Sequence, residues 1–189
     1  MNPVALLLGL SLAAQTPAAK PVPAPAAEPT IGAAIDGTFQ WVPGQFLAAA
    51  DAMPEDKYDW APTQGEFKGV KTFAQQVKHV AAVNYLVGAA VLGEKPPVEL
   101  GNAEMGPDNL KTKADIAVFL KASFDYARKA IKGITPQNGT KAMKSPFGEG
   151  TMTPLGMAAL LGFHGMDHYG QMAVYLRMNG IIPPASRKK

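Results

Sequence analysis

The chain has 189 residues, 47% of them hydrophobic and 17% charged, a balance that suits one folded domain with a proper core and excludes a disordered chain. Its formal charge of +3 draws partly on the C-terminal Arg187-Lys188-Lys189, and no other basic run is dense enough to track phosphates, so nucleic-acid binding is disfavoured. The absence of cysteine removes thiolate nucleophiles, Cys-based zinc sites, iron–sulfur clusters and disulfides together.

In chain order, Val4 to Leu12 is an apolar run too short to span a bilayer and suited to a signal-peptide core. Ala13, Ala14, Ala18 and Ala19 supply the small residues that a signal peptidase needs, although no Lys or Arg precedes the run. The expectation is a signal peptide over residues 1–19 and export to the periplasm or the medium. The alternative is an Ala/Pro-rich leader in the cytoplasm. A Pro/Ala-rich linker over residues 20–29 follows, then one domain over 30–185 and a basic tail over 186–189. No integral membrane span is expected.

Four helical segments follow the linker. The first, Ile31 to Ala52, carries apolar residues at helical spacing (Ile35, Phe39, Val42, Phe46) and stops at Pro54, but Pro43-Gly44 predicts a kink or two pieces there. The second, about Phe73 to Leu92, opens with the capping-box pattern Thr72-Phe73-Ala74-Gln75 and closes at Gly93. The third, about Lys113 to Lys132, has Thr112 as N-cap and Gly133 at its end. The fourth, about Pro154 to Asn179, has Thr153 as N-cap and Pro154 at its first position. No stretch alternates as a strand would. The connections from Gly93 to Lys111 and from Gly133 to Thr153 are long, and Ser145-Pro146-Phe147-Gly148 suggests turns over an open face. The fold class is therefore all-α: a four-helix bundle with long crossover connections, whose interior is where such folds place metals. The kinked first helix offers a face for a homodimer, without a heptad that demands one.

His164 and His168 stand one turn apart on the fourth helix, on a stripe with Met157, Leu161, Gln171, Met172 and Tyr175 that points inward. His79, beside Gln76, Val83 and Leu86, sits mid-helix on the second segment, where it can meet the pair across the interface. A lone core histidine is usually a hydrogen-bonded polar group and no more. Three of them, with a pair at i, i+4, favour one metal site, and three neutral imidazoles plus water is a recognised zinc arrangement with an open position. The residues between the pair, Gly165-Met166-Asp167, lack the glutamate of H-E-x-x-H, which excludes the metalloprotease reading.

The stretches Tyr58-Asp59-Trp60-Ala61-Pro62-Thr63, Gly65-Glu66-Phe67 and Phe73-Ala74-Gln75-Gln76-Val77-Lys78-His79-Val80 resemble the DinB-like (DinB/YfiT-type) family of metal-binding four-helix bundles. The closing His164-Gly165-Met166-Asp167-His168-Tyr169-Gly170-Gln171, with Tyr175 to Pro184 after it, is similar to that family over a second stretch. The leader and Pro43-Gly44 depart from the family's pattern. The resemblance implies that His79, His164 and His168 hold one divalent ion such as zinc, nickel or iron. It further implies a small-molecule substrate, with a low-molecular-weight thiol among the candidates, because several relatives are thiol-dependent transferases or isomerases.

Outside the three histidines, Asp167 and Gln171 are the candidate catalytic or ligand-orienting residues, Gln171 through a hydrogen bond to bound water. Asn84 and Tyr85 read as helix-packing residues and Trp60 as a plug at the loop end of the bundle. The nine methionines read as core filler. The expected function is that of a metal-dependent hydrolase or thiol-dependent transferase, with a non-catalytic, metal-stabilised binding or stress-related protein as the alternative. No general base is evident beyond Asp167 and loop carboxylates such as Glu66 and Glu149. N-terminal sequencing of the chain recovered from an exporting host is expected to read a start between Ala14 and Lys20; a start at Met1 or Asn2 would show that the leader is kept.

Overall fold

The computed structural model describes residues 27–102 and 105–188. The expected leader, most of the expected linker and the final residue of the tail lie outside them. Among the described residues, five α-helices make four rods: α1 (Ile31–Phe39) and α2 (Trp41–Ala52) together, then α3 (Phe73–Leu92), α4 (Lys113–Lys132) and α5 (Pro154–Met178).

The first rod is in two pieces, as expected, but the break falls at Gln40 and not at Pro43. Pro43 occupies the third position of α2, where a backbone N–H would have no acceptor within the helix, so the ring costs that helix no hydrogen bond. The other starts follow their caps. The Thr72 hydroxyl accepts from the Gln75 amide at 3.3 Å while the Gln75 side chain accepts from the Thr72 amide at 2.8 Å, which closes the capping box of α3. The Thr112 and Thr153 hydroxyls cap α4 and α5 by accepting from the Asp115 and Gly156 amides, and Gly93 ends α3 in the left-handed conformation at φ 69°.

Helix α3 carries one charged residue, Lys78, and is buried on nearly every side, as a helix apolar all round has to be. It packs against α4 and α5, while α1 and α2 close the bundle across those two. The Lys78 ammonium reaches out of the core to donate to the Pro107 carbonyl at 3.0 Å, which ties the long connection before α4 to α3. Phe46, Phe73, Phe124, Leu120, Leu161, Met172 and Leu176 form the centre of the core, with Phe46 and Phe124 edge to face at 5.8 Å. Arg128 of α4 donates to both carboxylate oxygens of buried Asp36 on α1, at 2.7 and 2.8 Å. Its guanidinium holds the Asp36 carboxyl below the ordinary carboxylate value.

Glycine sets one contact between rods. A Cβ on Gly165 would lie 2.6 Å from Val42 Cγ1, so α5 rests against α2 at the turn between His164 and His168. Asn84 donates to Ser123 and Tyr85 stacks near Phe119 and Tyr126, so both pack α3 on α4. Trp60 meets Tyr175 edge-on at 5.3 Å at the loop end. The connection before α5 departs from an all-helical reading with an antiparallel hairpin of β1 (Met143–Lys144) and β2 (Thr151–Met152), and an isolated antiparallel bridge joins Asn102 to Gly106 before α4. Strands of two residues are too short to leave an alternating pattern, and only the turn residues between them were legible. No helix among the described residues is long and apolar enough to cross a membrane. Phe46→Ala is expected to destabilise the fold by about 3–5 kcal/mol, measured by chemical denaturation, because it opens a cavity against Phe124 that neighbouring side chains cannot fill.

Candidate metal centre

The face of α3 that meets α5 carries Gln76, His79, Val83 and Leu86, each three or four residues from the next. Helix α5 presents Leu160, His164, His168 and Gln171 to it. The three imidazoles come together there, with ring centroids 5.0, 4.7 and 4.6 Å apart for the pairs His79–His164, His79–His168 and His164–His168. His79 and His168 are buried and His164 is half-buried. One ligand atom from each lies within 4.8 Å of the others, so the cluster could hold a metal ion.

Two features of the cluster suit a metal. The Nε2 atoms of His79 and His164 stand 3.0 Å apart. Two nitrogens each about 2.0–2.1 Å from one ion are separated by about 2.8–3.4 Å at angles between square and tetrahedral. The second feature is protonation. Burial first, and then the neighbouring His164 and His79, push the His168 pKa from its ordinary 6.5 down to about 4, against a smaller upward pull from Asp167. The imidazole is thus neutral near pH 7 and keeps a lone pair for a ligand bond.

A cavity of about 410 Å³ opens onto the cluster. His79, His164 and His168 line it together with Lys71, Val83, Leu86, Leu160, Phe163 and Phe147, the last placed there by the turn of the β1–β2 hairpin. No carboxylate is among its described lining residues.

The candidate partners of the ligands sit differently from the expectation. Gln171 accepts from the Gln76 side chain at 2.9 Å, so the oxygen expected to face water faces an amide. Asp167 is exposed, and its carboxylate accepts from the Gln171 amide at 3.0 Å, which keeps it outside the cavity. Gln76 Oε1 in turn lies within hydrogen-bond distance of His168 Nδ1. Sequence reasoning placed Gln76 beside His79 and gave it no partner. Its signal was a lone amide on an otherwise apolar helix face, one turn before a histidine, where burial obliges the amide to be satisfied. Lys71 and Phe147 left no comparable signal, since both stand on connections. Glu66 is exposed and Glu149 lines a separate surface depression with Lys144 and Ser145.

The sequence profile of the DinB superfamily matches residues 38–172. Among solved structures, the chain is similar to a DinB-like protein from Bacillus cereus at 16% identity and a TM-score of 0.60, covering 79% of this chain and 93% of that one. A DinB-like protein from Bacillus subtilis is similar at 17% identity and a TM-score of 0.60, covering 82% of this chain and 99% of that one. No curated protein matches.

Unfolded, His168 takes up its proton near 6.5, and folded only near 4. The unfolded chain therefore binds the additional proton in that window, and the metal-free fold loses stability as pH falls through it. Denaturation midpoints measured from pH 7 to pH 4 are expected to drop accordingly, and His168→Leu to flatten the dependence. A wild-type midpoint unchanged across the window would contradict a neutral, buried His168.

Proposed function

The chain belongs to the DinB superfamily, and we propose on that footing that it binds one divalent metal ion through His79, His164 and His168 and uses it on a small-molecule substrate. The observation that carries the reading is the convergence of three imidazoles from two helices at the wall of an accessible cavity. Zinc, nickel and iron all suit a set of neutral nitrogen donors. Such an ion supplies a Lewis acid and lowers the pKa of a nucleophile bound to it.

The rest of the cavity favours thiol transfer over hydrolysis. With no carboxylate among the described lining residues, no side chain there stands ready to take a proton from the nucleophile. A thiol ionises near 8.5 and bulk water near 15.7, so the thiol needs far less help to become an anion. The Lys71 ammonium at the cavity wall favours an anionic substrate, and Val83, Leu86, Leu160 and Phe163 give the cavity an apolar part. The second reading is a metal that pins α3 to α5 without catalysis, favoured by the placing of His79 on one helix and of His164 and His168 on another. On the leader's composition, the protein is exported.

Elemental analysis of the purified chain is expected to find stoichiometric metal in the wild type and to find it lost from His79→Ala, His164→Ala and His168→Ala. Full occupancy in any variant removes that residue from the site, and a metal-free wild type after gentle purification overturns the reading. Chelation that lowers the melting temperature by many degrees without affecting any thiol-transfer activity would favour the structural role.

A further inference from the structure

A line of hydrogen bonds runs from the protein surface to the buried end of the histidine cluster. Asp167, exposed on α5, accepts from Gln171 Nε2 at 3.0 Å. Gln171 Oε1 accepts from Gln76 Nε2 at 2.9 Å across the α3–α5 interface. Gln76 Oε1 then meets Nδ1 of His168, with Gln76 1% exposed and His168 8% exposed.

The direction of this line follows from its outer end. An ionised carboxylate only accepts, so Gln171 has to turn its NH₂ group to Asp167 and its oxygen to Gln76. Gln76 has to answer with its own NH₂ group, which leaves its oxygen for His168. An oxygen there requires a proton on Nδ1. Reversing both amides would set the Gln171 oxygen against the Asp167 carboxylate at hydrogen-bond distance with no proton between them. The reversed arrangement is therefore unfavourable at the Asp167 end, and at the other end the buried Gln76 depends on its protein partners alone.

We propose that Asp167, Gln171 and Gln76 are positioning residues: through two amides, the surface carboxylate sets the Nδ1–H tautomer of His168 and leaves its Nε2 lone pair directed at the cluster. For the metal, this rests on the reading of His79, His164 and His168 as its ligands. An imidazole whose Nδ1–H is already engaged has its ring orientation and its free nitrogen fixed before the ion arrives. The chain of polarised bonds also raises the basicity of that nitrogen. Asp167 thereby acts on a site it does not touch.

The test uses the full chain with Gln76→Leu, Gln76→Glu and Asp167→Asn, and two measurements. Nitrogen-15 imidazole spectra of the metal-free protein report the tautomer, and competition with a chromophoric chelator reports zinc affinity. The wild type is expected to carry the proton of His168 on Nδ1. Gln76→Leu is expected to lose that preference and to bind zinc roughly 10–100-fold more weakly. Gln76→Glu keeps an acceptor for Nδ1 but cannot donate to the Gln171 oxygen, so it is expected to keep the Nδ1–H tautomer while losing the dependence of that tautomer on Asp167. Asparagine at 167 can donate as well as accept, so Asp167→Asn removes the bias at the surface and is expected to give mixed tautomers and weaker zinc binding with an unchanged fold.

A wild-type His168 protonated on Nε2 overturns the proposal, as does a wild-type tautomer retained in both Gln76→Leu and Asp167→Asn. If Gln76→Leu fails to fold, the surface variant decides. A wild type that binds no zinc overturns the metal reading alone, since the tautomer of the metal-free chain still decides the role of these three residues.

Discussion

A helix with almost no charge has to be enclosed, and any polar group it carries into the enclosure has to find its partner there. Helix α3 is under that constraint, and the rest of the molecule is arranged around it. Lys78 escapes by reaching a carbonyl of the following connection. Asn84 is met by Ser123 of α4. Gln76 and His79 face α5, and α5 answers with His164, His168 and Gln171. The histidine cluster is thus also the polar part of an otherwise apolar seam, which is why two of its three members are buried without being solvated.

The remaining rods hold that seam in register. Gly165 lets α5 lie against Val42 at the turn between its two histidines, so the rotation of α5 about its own axis is limited by a steric contact with α2. On the opposite flank, Asp36 and Arg128 join α1 to α4 through two parallel hydrogen bonds. One partner there is buried and the other partly exposed, so the pair fixes where the rods meet more than it adds stability.

Much of this was legible in the chain because caps and periodicity are local. Thr72, Thr112 and Thr153 placed the starts of α3, α4 and α5, and Gly93 and Gly133 the ends of the first two, since each acts on backbone groups within a turn. The resemblance over helices two and four named the family that the match over residues 38–172 shows. The break at Gln40 was not legible, because glutamine is a good helix former and the stronger signal, Pro43, is harmless in a first turn. The line from Asp167 to His168 was hidden for a different reason. Helical spacing says which residues share a face, and only the packing of α3 on α5 says which residue across the interface each one meets. Asp167 and Gln171 were therefore visible as candidates while Gln76, the residue that joins them to a histidine, was visible only as a neighbour.

The two walls of the cavity differ in what holds them. His79, Val83 and Leu86 stand on a twenty-residue helix buried on nearly every side. Phe147 stands on the turn of a hairpin with two residues in each strand, and a two-stranded hairpin is at best marginally stable on its own in water. The backbone amides of mid-α3 therefore belong to the most protected part of the fold and those of the hairpin to the least, by the burial and length of the elements that carry them. The histidines and the aromatic wall of the cavity thus rest on supports of unequal stability: long packed helices for the first, a short hairpin for the second.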